Sequence, residues 1–131
     1  MKDLFITSTL HSDWNLVFNP KLCKVLEDRG ISCHIPQRDT DQEANNEEKF
    51  RQNIEGIKNS HKLLAVCKNY TPNFGLEVGF AYGLGKDIIF LTDNEINIPL
   101  MIKGATNKIL EVKDIDVIDS YIDDLLKIIE L

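Results

Sequence analysis

Leu63-Leu-Ala-Val-Cys67, then Asn69-Tyr-Thr-Pro-Asn73, then Gly75-Leu-Glu-Val-Gly-Phe-Ala-Tyr-Gly-Leu-Gly85, then Ile88-Ile-Phe-Leu91 is the stretch on which the fold turns. Each short apolar run lacks polar alternation, so it reads as a strand covered on both faces. Between the runs lie a turn-forming cluster and a segment whose residues are nearly all apolar or glycine, which predicts a buried helix. Strand, helix, strand with no polar face on either strand is a parallel β-α-β unit.

The same alternation continues outward in both directions. Leu4-Phe-Ile6 is a buried strand that runs into the hydroxyl-rich Thr7-Ser-Thr9. Trp14, Val17, Phe18, Leu22, Val25 and Leu26 recur at helical spacing; Pro20 either kinks that helix or starts its main part, and Gly30 closes it as a C′ residue. Ile31 to Ile35 is a second strand ended by Pro36, and Gln37 to Asn46 is a polar surface loop. A helix follows through Phe50, Ile54 and Ile57. Beyond the central unit come a turn-rich loop from Asp93 to Pro99, a fifth strand from Lys108 to Val112, and a helix capped by Asp114. That last helix turns Ile115, Ile118, Ile122, Leu125, Leu126 and Ile129 toward the core. The prediction is one domain over residues 1–131: a doubly wound, three-layer α/β fold with a mostly parallel five-stranded sheet. Ligands of such folds bind at the carboxyl ends of the strands. That selects the loops Thr7 to His11, Gln37 to Gln42, Lys68 to Glu77 and Asp93 to Ile98.

Composition narrows the partners. The chain has 131 residues with a formal net charge of −6 and no basic cluster longer than a dipeptide, which argues against a nucleic-acid polymer but allows a small anion. No apolar run is long enough to span a bilayer and no basic-then-apolar leader opens the sequence, so the expectation is a cytoplasmic protein with no membrane partner. Cys23, Cys33 and Cys67 fit neither a zinc pattern nor a disulfide framework and read as reduced core cysteines. His11, His34 and His61 show no ligand spacing, and neither metal nor cofactor is called for.

Glu77 is the residue that stands out for chemistry. It falls in the first turn expected of an otherwise apolar helix, where burial raises a carboxyl pKa and helix N–H groups favour the anion. A poorly hydrated carboxylate is a competent nucleophile at an electrophilic carbon, although the same position suits a carboxylate that only satisfies helix amides. Gly75, Gly79 and Gly83 repeat every four residues and predict a close neighbour, the sheet or a second subunit. Neither phosphate-loop pattern fits: Gly83-Leu-Gly85 lacks its third glycine, and Gly85-Lys86 is followed by Asp87. Gln37-Arg38-Asp39 places an amide, a guanidinium and a carboxylate just past a strand end, suited to a base edge and an anion or to an ordinary solvated loop.

Tyr70-Thr-Pro-Asn-Phe-Gly-Leu-Glu77-Val-Gly-Phe-Ala-Tyr-Gly-Leu-Gly-Lys86 resembles the signature of the nucleoside 2-deoxyribosyltransferase superfamily, which includes nucleotide N-glycosidases. The signature glycine two residues before the glutamate is Gly75. Leu4-Phe-Ile-Thr-Ser8, Asn53-Ile-Glu-Gly-Ile57 and Pro99-Leu-Met-Ile-Lys-Gly-Ala-Thr-Asn107 extend the likeness over most of the chain. The resemblance implies a flavodoxin-like domain that cleaves or transfers the N-glycosidic bond of a nucleoside or nucleoside 5′-monophosphate through a glycosyl-enzyme intermediate. On that reading Glu77 is the nucleophile, Gln37 reads the base, and Phe5 and His11 wall the pocket. Arg38, Thr7, Ser8 and Thr9 are candidate phosphate contacts. Asn107 touches sugar or nucleophile from a partner chain, which implies a homo-oligomer. Where the family carries Asp, this chain has Asn53 and Thr71, and Asp39 or Asp41 would have to supply a proton instead. Two alternatives stay open: a nicotinamide-dinucleotide glycohydrolase, and a non-catalytic nucleotide-binding module that signals through association.

Overall fold

The computed structural model describes residues 1–8, 13–68 and 72–130. Five strands form one all-parallel sheet in the order β2-β1-β3-β4-β5: β1 (Lys2–Ser8), β2 (Cys33–His34), β3 (Ser60–Cys67), β4 (Asp87–Thr92) and β5 (Lys108–Glu111). The register joins Phe5 to His34 and to Leu63, Leu63 to Ile88, and Phe90 to Ile109. This is the doubly wound arrangement that the apolar strands require, since neither face of β1, β3 or β4 faces water.

Alternate residues feed two cores. Leu4, Ile6, Leu64, Val66, Ile89 and Leu91 pack under α1 (Trp14–Asp28) and α6 (Ile122–Glu130). Phe5, Leu63, Ala65, Ile88 and Phe90 pack under α3 (Asn46–Lys58), α4 (Pro72–Gly83) and α5 (Leu100–Ala105), with Phe74 edge-on to Phe90 at 5.9 Å. Cys23, Cys33 and Cys67 are buried thiols in no disulfide, as expected. At Gly30 and Gly85 the backbone turns to φ +87° and +73°. There the N–H groups of Gly30 and Ile31, and of Gly85 and Lys86, return to the last carbonyls of α1 and α4, the glycine C-cap in both cases.

Several boundaries differ from expectation for local reasons. β2 is two residues long, because Ile31 N–H is drawn into the α1 cap. The polar loop opens with a short helix, α2 (Pro36–Asp39), which Pro36 starts at N1 and the Asp39 carboxylate caps by accepting from Ile35 N–H at 2.9 Å. α1 continues through Pro20, which sits inside it, and it buries Asn15 and Asn19 where Val17 was expected; Val17 faces water. The last helix starts at Ile122 after a 3-10 turn at Ile118–Ser120, not at Asp114, although Ile115, Ile118, Ile122, Leu125 and Ile129 are all buried.

Gly56 of α3 fits because it has no side chain. A Cβ there would stand 2.7 Å from the His34 ring and 2.9 Å from Phe5 Cε2. Gly56→Ala is therefore expected to cost about 1–3 kcal/mol through overpacking, read as a lower midpoint in urea unfolding with an unchanged slope. A neutral result would mean that the Phe5 and His34 rings move aside freely.

Candidate active site

The carboxyl edge of β1 brings the first two site residues together. Thr7, the last residue but one of β1, faces the α4 side of the sheet, and its hydroxyl donates a short hydrogen bond to Glu77 Oε2. Pro72 begins α4 three residues before Gly75, so Glu77 sits in the second turn and not the first. The helix-terminal amides that the sequence suggested are out of reach, and the dipole effect fades beyond the first turn. The residue keeps partial exposure, but its carboxyl group is turned under the helix. Desolvation pushes that carboxyl up to about 7, against the Thr7 hydrogen bond, which pulls it down.

Phe5, two residues before Thr7 on the same face, stacks on His34 with ring centroids 4.9 Å apart. Burial holds the His34 imidazole below its usual pKa, so this wall is neutral at pH 7. His34 Nε2 and Gln37 Oε1 are buried without a hydrogen-bond partner. Asn53 of α3 accepts the Thr40 hydroxyl at 2.6 Å. Gly75 lies in the first turn of α4 with open space where a side chain would be. A cleft of about 800 Å³ beside the β2 edge is lined by His34, Asp39, Arg51, Gln52 and Glu55, without Glu77.

Other predicted contacts are committed elsewhere. The Arg38 guanidinium pairs with Asp39 at 2.9 Å, with Glu27 at 2.9 Å and with the Cys33 carbonyl at 2.7 Å, so its hydrogen bonds are spent inside the protein. Asp39 makes a poor proton donor: burial pushes its carboxyl up, but Arg38 and the Ile35 N–H outweigh burial and hold it below the usual range. Asp41 accepts from Glu43 N–H on the exposed loop. Ser8 faces the α1 side and accepts from Asn19 Nδ2 at 2.8 Å, so of these two described hydroxyls it is Thr7 that bonds Glu77. Asn107 lies at the amino edge of the sheet, opposite the site. It pairs with Ile88 through both backbone (2.9 Å) and side chain (2.8 Å), acting as one more rung of the ladder. Thr9, His11, Tyr70 and Thr71 lie outside the described residues.

Two features beside the site had only faint signals in the sequence. Asn15 and Asn19, four residues apart, interrupt the apolar stripe of α1 and are buried, Asn19 against Ser8 with its Oδ1 unpartnered. Asp116 accepts from Trp14 Nε1 at 2.6 Å and from Lys68 at 2.9 Å, while Lys68 lies 4.9 Å from the Trp14 ring centroid. This cluster ties the start of α1 to the end of β3, so the two segments flanking the site share one anchor.

The five-stranded, all-parallel, doubly wound sheet is a flavodoxin-like α/β domain, and the desolvated Glu77 carboxyl lies where ligands of such sheets bind, at the carboxyl edge. The chain belongs to the nucleoside 2-deoxyribosyltransferase family, whose sequence pattern matches residues 4–118. Among solved structures it is similar to a 2-deoxyribosyltransferase from Bacillus psychrosaccharolyticus (22% identity, 91% of each chain, TM-score 0.71). It is also similar to the CMP N-glycosidase of Clostridium botulinum (17%, 97% of this chain and 99% of that one, 0.71). The TIR domain of a Toll-related receptor from Hydra magnipapillata aligns over the full length of both chains at 23% identity and TM-score 0.71. These likenesses share the fold. No curated protein matches the chain in sequence.

Proposed function

We propose that this protein cleaves the N-glycosidic bond of a nucleoside or nucleoside 5′-monophosphate, with Glu77 as the nucleophile. The observation that carries the reading is the Glu77 carboxyl itself, desolvated, held by Thr7, and set in the family's motif at the carboxyl edge of the sheet. The ionised carboxylate attacks the anomeric carbon as the carbon–nitrogen bond breaks, and the bonding pair leaves with the base, which takes up a proton. The ester intermediate is then opened by water, a hydrolysis, or by a second base, a transfer. Two displacements at one carbon retain its configuration. The His34 ring, backed by the buried Phe5, faces the cleft beside β2, and Gln37, three residues on, holds an unpartnered amide oxygen; these are the groups offered to the base.

The test is a panel of nucleosides, their 5′-monophosphates and a nicotinamide dinucleotide, each with and without a second free base, run beside Glu77→Gln. Glu77-dependent base release supports the reading, and a new nucleoside formed only with the second base assigns the transferase branch. Release from the dinucleotide alone would move the protein to the glycohydrolase reading. Ligand-dependent thermal stabilisation without any product would make it a binding module.

Thr7 gives a finer check. Thr7→Val removes the hydrogen bond that favours the anion, so the acid limb of the pH–rate profile is expected to move to higher pH, and Thr7→Ser to restore it. An acid limb that stays in place would separate Thr7 from the reacting carboxyl.

A further inference from the structure

All three cysteines of the chain are buried, and two of them meet. Cys23 of α1 and Cys33 of β2 are 1% and 0% exposed, share the core beneath α1 and lie within hydrogen-bonding reach of each other. Cys67 sits on the other face of the sheet, in the core beneath α4. The cover over Cys23 is ionic. Its Sγ is 3.5 Å from Arg38 Nη1 and 3.2 Å from Glu27 Oε1, and those two groups pair with each other at 2.9 Å. The Arg38 and Glu27 side chains are 43% and 35% exposed, so Cys23 lies one layer below water, under an ion pair that a small reagent can part at little cost.

The surroundings divide two roles between the sulfurs. The Cys33 thiol within reach and the Arg38 guanidinium hold the Cys23 thiol below its ordinary pKa, against burial and the Glu27 carboxylate. Contact with Cys23, together with burial, pushes Cys33 up, so it stays protonated. A sulfur beside a cation with a second thiol against it is the arrangement of an attacking and a resolving cysteine. We propose that Cys23 and Cys33 are a redox pair, in which a hydroperoxide oxidises Cys23 and Cys33 then closes a reversible disulfide between α1 and β2. In the first step the Cys23 sulfur attacks one peroxide oxygen and the O–O bond breaks. That oxygen stays on sulfur as a sulfenic acid, and the other leaves as water or an alcohol with the Cys23 proton. In the second step the Cys33 sulfur attacks the Cys23 sulfur, the S–O bond breaks, and the oxygen leaves as water with the Cys33 proton. Two thiols are oxidised, one peroxide is reduced, and no other reagent enters. The bridge lies beneath Arg38, whose bonds to Asp39 and to the Cys33 carbonyl hold α2, so it bears on the segment that carries Gln37.

The experiment treats the reduced full chain with hydrogen peroxide at neutral pH, blocks the remaining thiols with N-ethylmaleimide in denaturant, and reads intact mass and a peptide map. Wild type is expected to lose two hydrogens, to take up maleimide at Cys67 alone, and to yield a peptide pair joined through Cys23 and Cys33 that dithiothreitol separates. Cys33→Ser lacks the resolving sulfur and is expected to leave a sulfenic acid at Cys23 that dimedone traps. Cys23→Ser leaves only sulfurs with no cation beside them and is expected to slow thiol loss about 10-fold or more. Far-UV circular dichroism checks that both serine variants are folded, and the wild-type map decides the proposal without them. Three maleimides on peroxide-treated wild type, or a bridge that includes Cys67, overturns it. Because thiols are read and not turnover, a protein that proves inactive on every substrate leaves this test intact.

Discussion

Glu77→Gln is expected to lower base release by about 10⁴-fold or more, since removing a covalent nucleophile leaves only what binding and orientation contribute. The substitution keeps the volume of the side chain and an oxygen that can accept the Thr7 hydroxyl, so the site should stay assembled. The loss should fall on kcat, because the carboxylate forms its bond only as the reaction proceeds. Wild-type activity should rise with pH through an apparent pKa near 7, the point at which the buried carboxyl ionises. A variant that loses affinity while keeping kcat would make Glu77 a binding group.

The same substitution is expected to stabilise the protein at pH 8. Glu77 has its folded pKa raised to about 7 from an ordinary value of 4.5, so the folded state holds this proton more tightly than the unfolded chain. Its contribution is fully present below pH 4.5 and is lost as pH rises through 7. At about 1.4 kcal/mol per unit, the ionised group costs up to about 3 kcal/mol at pH 8. Gln carries no such cost. Urea unfolding of both chains at pH 5 and pH 8 checks this: the variant should gain on wild type only at the higher pH. An equal difference at both values would mean that the Glu77 carboxyl is not desolvated. Stability surrendered at the residue on which turnover depends is the pattern expected of a functional site.

Much of the fold was legible because strand burial writes itself as uninterrupted apolar runs: Ile88 to Leu91 is β4 within one residue at each end, and Leu63 to Cys67 is the buried part of β3, which starts earlier, at the polar Ser60. Glu77 was legible for the converse reason, as a lone carboxyl among apolar neighbours. What escaped depends on tertiary partners. Pro72 reads equally as a turn residue and as a helix start, and only docking of Phe74 against Phe90 makes it the latter. Arg38 was legible as a guanidinium past a strand end, but nothing local shows that Glu27, from the preceding helix, would arrive to hold it. At Asn107, just before β5, nothing local shows that its side-chain oxygen would accept from Ile88 N–H. Asn15 and Asn19 look like surface residues until Ser8 covers one of them.

The central claim is a covalent bond between Glu77 and a sugar. The most direct measurement is mass spectrometry of the protein quenched in acid during turnover of whichever panel member releases base, followed by peptide mapping. The account predicts an added pentose or pentose phosphate on the peptide carrying Glu77, absent from Glu77→Gln. Base release by Glu77→Gln at the wild-type rate, or a sugar adduct on another residue, would contradict it.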